Sequence, residues 1–400
     1  MSATARIRRP HLTTKRRDDD RVSPLELFFD LVFVLAITQC TAFMAHEPTW
    51  HGMAEGLVLL ALLWWAWVGY AWLTSVIDPD EGSVRLVLFA AMAALLVTSL
   101  CIPDAYGDLG LTMAVAYGVF RMAQIVVFTL ASRDDQGLHH SVFGLAISTG
   151  IGVGLILIGA LFHGDARLAI WAGALAFDMA GPLFIDTSGW RLVPGHFAER
   201  HGLIVIVALG ESIVAIGVGA EAGVDGGVIA AAVLGIAVAG EFWWTYFDVA
   251  SIAVAQRLAS IEPVQVRNEL ARDAYSYLHL PMVAAIVLVA FGMKETLGHV
   301  GDPLAWETSA ALIGGSALYL LTHVAFKYRG LGLVSRHRLV AAVVLLAAIP
   351  VGRQVDALTS VALVAVVLGV MLAVENVSHA EARSEIRRLD HEQHNGSGTR

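Results

Sequence analysis

Charge is scarce in this chain. Only 15% of its 400 residues are Asp, Glu, Lys or Arg, where soluble domains carry roughly 25%. The shortfall excludes an ordinary soluble globule, and it accompanies 57% hydrophobic residues and a mean hydropathy of +0.67. Cysteine is nearly absent. Cys40 and Cys101 lack CxxC spacing, so neither a disulfide framework nor a zinc site follows, and both read as small buried hydrophobes. A Walker loop, an HExxH and a GxSxG are missing as well, so no soluble-enzyme chemistry and no cofactor are expected. The two histidines of HFAERH, five residues apart, are poorly spaced for one metal on one helix face. Gly150, Gly152 and Gly154 lie inside an apolar run and read as packing. The net charge of −9 says little about partners, because a membrane would separate its two faces. No nucleic acid partner is expected.

Long apolar runs fill the chain instead. A membrane-spanning helix needs about 20 mainly apolar residues, and twelve such segments are expected: 25–45, 53–76, 84–102, 110–131, 141–162, 168–185, 199–220, 227–249, 274–293, 306–327, 338–352 and 358–377. The sixth and eleventh are the weakest, since Pro182 and Pro350 can end or kink them; Pro281 can kink the ninth. Continuous runs fit helices, not the ten-residue alternation of barrel strands. The fold class is therefore all-α, a polytopic transmembrane bundle. Residues 1–23 form a basic tail with Arg6, Arg8, Arg9, Lys15, Arg16, Arg17 and Arg21. No cleavable signal core follows, so the first apolar run is expected to remain as an anchor. Residues 379–400 form a polar tail. Lys and Arg favour the cytoplasm. Of the 26 lysines and arginines, all but Arg167, Lys294, Arg353 and the intramembrane Arg121 fall on the side of the N-terminus. Both termini are therefore expected in the cytoplasm.

Two halves, 24–190 and 191–378, resemble each other weakly. ELFFDLVFVLAITQ from Glu26 aligns with ERHGLIVIVALGES from Glu199, and Trp64-Trp65-Ala66-Trp67 aligns with Trp243-Trp244-Thr245-Tyr246. His140 aligns with His337, Gly118 with Gly315 and Asp178 with Glu375. Six spans per half would make parallel repeats, as in some transporters.

Against this background the polar residues stand out. A charge in hydrocarbon costs about 2.5–3.5 kcal/mol on insertion scales, so it normally faces a protein interior, a partner or a water path. Glu26 and Asp30 are four apart and share one helix face. They read either as interfacial acids, facing water or pairing with a basic loop, or as the mouth of a polar path. Glu199, Arg200 and His201 open the seventh span, where an acid in the first turn and a snorkelling Arg200 are the plain alternative. Glu211, twelve residues on, lies roughly 18 Å deeper at about 1.5 Å per residue, beyond the reach of surface capping. Glu241 and Asp248 are seven apart and share a face; the adjoining tryptophans read as packing or interface anchors. Asp178 also looks buried. Arg121 is the one deep cation and should pair with one of these acids. His279 and His323 add titratable rings, or serve as packing residues. One arginine cannot neutralise Glu211, Glu241, Asp178 and Asp30 together. Burial disfavours a charged carboxyl, so some of these four are expected to hold exchangeable protons, as a relay or proton-coupled carrier would use.

The combination of PLELFFDLVFVLAITQ, LLWWAWVGYAWLTS, HFAERHGLIVIVALGESIVAIG, EFWWTYFD and RDAYSYLHLPMVAAIVL resembles the bacterial low temperature requirement protein A family. Pro24, Glu26, Asp30, Glu199, Arg200, His201, Gly210, Glu211, Trp243, Trp244, Arg272, Asp273, His279 and Pro281 carry the pattern, which runs from Pro24 to the tenth span. The resemblance implies an integral protein of a bacterial inner membrane and a link to growth in the cold. It implies no particular substrate, cofactor or catalytic residue.

The leading expectation is a carrier that moves a small solute or ion through the bilayer, coupled to protons, along a path lined by Glu211, Glu241, Asp30 and Arg121. The alternatives are a membrane scaffold or sensor, with the acids holding helices together, and an intramembrane enzyme acting on lipid.

Overall fold

A computed structural model describes residues 21–378 except 81, 186–188, 221 and 222, together with 380 and 388. The expectations for the tails at 1–20 and for the rest of 379–400 lie outside the described residues. Twelve long helices follow the twelve apolar segments: α1 Pro24–His46, α2 Trp50–Val76, α3 Gly82–Cys101, α4 Gly110–Ala131, α5 Gln136–Gly159, α6 Asp165–Phe184, α7 Pro194–Gly219, α8 Gly226–Phe247, α9 Val264–Gly298, α10 Trp306–Leu331, α11 Arg336–Ala348 and α12 Ala357–Ser378. The protein is all-α, with no β-strand among the described residues. Ten of these helices are long and apolar enough to cross a membrane. The two others are α6, which carries Asp165, Arg167 and Asp178, and α11, which is only 13 residues long. The protein is thus a multi-pass membrane protein whose ten clear spans leave out the two segments interrupted by proline.

Local chemistry sets the ends. α1 starts with a capping box: Ser23 Oγ accepts the Glu26 amide, and Glu26 Oε2 accepts the Ser23 amide at 2.9 Å. Pro182 is tolerated inside α6, which ends two residues later at Phe184. Pro350 converts the end of α11 into a 3₁₀ turn, Ile349–Arg353. In α9 a π turn, Ala271–Tyr277, precedes Pro281, a proline that cannot donate to the carbonyl of Tyr277. A short helix, Ala250–Ser260, follows α8.

Packing brings α1 against α2 and α3, α3 against α4, α4 against α5, and α5 and α2 against α6. In the second half α7 lies against α8 and α9, α9 against α10, α10 against α11, and α11 and α8 against α12. Between halves, α1 contacts α7 and α9, and α2 contacts the same two helices. The junction is therefore made by α1, α2, α7 and α9. Large aliphatics such as Leu86, Val115, Ile147 and Val366 are exposed on the outside, as lipid-facing positions should be. Cys40 and Cys101 are free and buried.

Small residues set the closest approaches. A Cβ added at Gly292 would stand 2.7 Å from Leu312 Cβ and 3.0 Å from the Leu312 backbone, so Gly292 lets α9 touch α10. Gly292→Ala is expected to push them apart and cost about 1–3 kcal/mol, the usual range for overpacking. Thermal unfolding in detergent checks this; an unchanged midpoint would contradict the close contact.

Candidate functional site

The end of the bundle that holds Pro24 is called the N-face below. Just inside it, the junction of the halves buries a charged cluster. Glu26 and Asp30, one turn apart on α1, are 1% and 2% exposed. Arg200, from α7, is 1% exposed; it donates Nη2 to Asp30 at 2.7 Å, and Nη1 both to Glu26 at 3.0 Å and to Thr74 Oγ1 of α2 at 2.9 Å. His196 Nε2 meets Glu26 Oε1 at 2.9 Å, and Trp67 Nε1 donates to Asp30 Oδ1 at 2.8 Å. Arg200 also lies over the Trp67 ring. Two of the alternatives left open by the sequence do not hold. Glu26 and Asp30 are not interfacial acids facing water, and Arg200 does not snorkel. The reason is that α7 begins at Pro194, earlier than expected, so Arg200 is already in its second turn and points into the bundle. The same shift takes Glu199 out of the first turn; it accepts the Val22 amide at 3.3 Å.

A second cluster continues from Arg200. His201 packs against the rings of Trp67, Tyr275 and His279. Tyr246 O–H lies 2.9 Å from His279 Nε2, and the Tyr246 ring packs on His323. In three histidines Nδ1 faces a backbone carbonyl: Phe197 for His201, Ala274 for His279 and Tyr319 for His323. A carbonyl only accepts, so Nδ1 carries the hydrogen and Nε2 is the basic nitrogen. His279 Nε2 is then the acceptor for Tyr246. The Nε2 atoms of His201 and His323, and the hydroxyl of Tyr275, are buried without a partner among the described residues. The set draws on α7, α8, α9 and α10, and it meets the acids of α1 through Trp67 and Arg200.

Arg121 has its own place, in the first half. Its Nη2 donates to Asp178 Oδ2 at 2.6 Å and to Thr149 Oγ1 at 3.0 Å, and its Nη1 donates to Gln124 Oε1 at 3.0 Å. Asp178 is therefore the acid that it pairs with. Gly152 allows this, because a Cβ there would stand 3.1 Å from Asp178 Cβ. Beside the pair lies a cavity of about 70 Å³ between α2, α4, α5, α6 and the π turn of α9.

The remaining acids stand apart. Glu211 accepts from Thr38 Oγ1 of α1 at 2.5 Å, with the buried, unpartnered Ser212 hydroxyl as its chain neighbour. Glu241 is half-buried against Gly369 of α12, and its Oε2 has no hydrogen-bond partner. Asp248 follows α8 as its C-terminal cap. The structure thus brings together Glu26, Asp30, Arg200, His201 and His279, and separately Arg121 and Asp178. No hydrogen bond or ion pair among the described residues joins Glu211, Glu241 and Arg121 to one another. Trp243 and Trp244 are 47% and 41% exposed, whereas Trp64, Trp65 and Trp67 are buried.

Several contributors were not singled out from sequence: His196, Trp67, Thr74, Thr149, Gln124, Tyr246 and Tyr275. The i, i+4 spacing of His196 and Arg200 places them on one face of α7 and was the available signal. Thr149 and Gln124 carry no charge and gave none. Arg167 is a further case. It bonds the carbonyls of Ala105, Gly107, Ala160 and Phe162, clamping two loops on the face opposite the N-face.

The family model of the bacterial low temperature requirement A protein (LtrA) matches residues 21–373. An uncharacterized protein of Rhizobium meliloti (strain 1021) is 28% identical over 323 residues, which cover 77% of this chain and 78% of that protein. No solved structure matches the chain.

Proposed function

The chain belongs to the bacterial low temperature requirement A protein family, and from that premise we propose that it is a proton-coupled carrier of a small solute or ion. The observation that carries the reading is the buried line from Glu26 and Asp30 through Arg200 to His201, His279, Tyr246 and His323. Titratable groups on five helices meet there, at the junction of two halves, with two imidazole nitrogens left as acceptors without a partner among the described residues. Holding so many ionisable groups in an apolar bundle is costly, and they commonly mark ion or proton paths.

Two features support movement. The packing order of α1–α6 recurs in α7–α12: first against third, second against sixth, and third through sixth in sequence. Parallel repeats rocking about a shared site are one route to alternating access. Arg200 and its acids span the junction, so they would break or re-form as the halves move. Glu211 against Thr38 also bridges the halves, on α7 and α1. We place the protein in the bacterial inner membrane with both termini in the cytoplasm, as the distribution of Lys and Arg favours.

A scaffold reading draws on a different observation, that Glu26, Asp30 and Asp178 are ion-paired across helices. The two readings separate in proteoliposomes with an internal pH dye. The carrier reading expects proton entry on imposing an inside-negative potential, and expects His279→Phe to reduce it at least tenfold while gel filtration and melting stay normal. A wild-type protein that moves no protons, or a His279→Phe protein as active as wild type, would leave the scaffold reading in its place.

A further inference from the structure

We propose that the cavity beside Arg121 is a binding site for a small aromatic carboxylate, which names the substrate class and rests on the carrier reading. The cavity runs from Arg272 and Trp190 near the N-face inward to Arg121. Two arginines line it, and no aspartate or glutamate does among the described residues. Gln124 adds an amide. Arg121 is 2% exposed, and its Nε hydrogen has no acceptor among the described residues. A buried guanidinium N–H left without a partner is costly, and an anion in the cavity would satisfy it. Asp178 neutralises Arg121 from one side only, and Asp273 holds Arg272 through Nε at 2.8 Å. The four Nη hydrogens of Arg121 go to Asp178, Thr149, Gln124 and the Trp65 carbonyl, which leaves its Nε–H; Arg272 donates Nη1 to the Pro182 carbonyl at 3.2 Å and keeps Nη2 for a carboxylate.

The walls choose what carries that carboxylate. Trp65, Trp72 and Trp190 line the space, with Trp72 and Trp190 edge to face at 5.7 Å. Trp72 spends its N–H on Ser276 Oγ at 2.9 Å, so its ring serves as an apolar surface. Flat rings pack well between indoles at offset or edge geometry. The volume agrees. A cavity of about 70 Å³ holds roughly five waters at about 10–15 Å³ each, and five waters fill about 150 Å³ of liquid, the bulk of a single-ring acid. The π turn Ala271–Tyr277 supplies Arg272 and Ser276 to the cavity, and Tyr277 O–H bonds the Met179 carbonyl of α6. Such turns often sit at functional sites.

The test is isothermal titration of the purified protein in detergent with benzoate, with its neutral isostere benzamide and with the cation benzylammonium. Saturable binding of benzoate is expected, at least tenfold tighter than either isostere. Arg272→Gln is expected to weaken benzoate at least tenfold. Because Arg272 lies near the bundle end, that variant should fold, whereas Arg121→Gln removes a buried charge from Asp178 and is not required. No benzoate binding, equal binding of benzamide, or an unaffected Arg272→Gln protein would overturn the proposal. Displacement of benzoate by short-chain phosphatidylglycerol would overturn it too, by assigning the cavity to a lipid headgroup. Binding needs no flux. Benzoate bound without transport keeps this site and rejects the carrier, while proton-coupled flux without benzoate binding does the reverse.

Discussion

Replacing Arg200 by glutamine is expected to unfold the junction. Arg200 supplies positive charge to both Glu26 and Asp30, and all three are buried. Removing one partner of a buried ion pair typically costs about 3–5 kcal/mol, because the other charge is left without compensation; here two acids lose their bond to Arg200 at once. Asp30 Oδ2 already lacks a partner, so Asp30 has little to fall back on besides Trp67. Arg200→Gln should therefore melt far earlier than wild type in detergent, or fail to purify as a single species. Adding Glu26→Gln and Asp30→Asn to the same protein should restore part of the loss, since the uncompensated charges are gone. Full recovery is not expected, because Glu26 also closes the capping box of α1. An Arg200→Gln protein as stable as wild type would mean that the three charges do not meet as described.

The second large effect belongs to Asp178. Asp178→Ala should destabilise by a similar amount, about 3–5 kcal/mol, because Arg121 keeps only neutral acceptors in Thr149, Gln124 and the bound carbonyl of Trp65. Thr149 loses a partner as well, since its hydroxyl donates to Asp178 Oδ1 at 3.2 Å. The double replacement Asp178→Leu with Arg121→Met should be more stable than Asp178→Ala alone, because buried ion pairs can be exchanged for packed apolar side chains at little net cost. Thermal unfolding of the wild type, Asp178→Leu, Arg121→Met and the double gives the coupling energy of the pair. Strict additivity would show that Arg121 and Asp178 act independently.

The bundle was legible because each apolar run is long, continuous and bounded by polar turns, and those signals need no tertiary knowledge. Even the weak sixth and eleventh segments announced themselves through Pro182 and Pro350. The site was legible only in kind. Buried acids can be listed from hydropathy, but pairing depends on which faces turn toward each other, and helices rotate independently of their composition. Arg121 shows this: four acids were open to it, and the closeness permitted by Gly152 selects Asp178. Arg200 failed for another reason. Counting from the first apolar residue placed it at the membrane edge, whereas Pro194 starts the helix a turn and a half earlier and carries it inward. Tyr246, Tyr275 and His196 were hidden because an aromatic or histidine in an apolar run looks the same whether it packs or conducts.

Coupling between protons and solute is the point on which the account stands, and concentrative uptake measures it directly. Wild-type proteoliposomes, acid outside, would be given a panel of labelled small solutes that includes single-ring carboxylates, with benzoate taken above its passive entry in protein-free vesicles. The account predicts protein-dependent accumulation of at least one solute against its own gradient, abolished by a protonophore. Distribution of every solute to equal concentration, with or without the pH gradient, would contradict it.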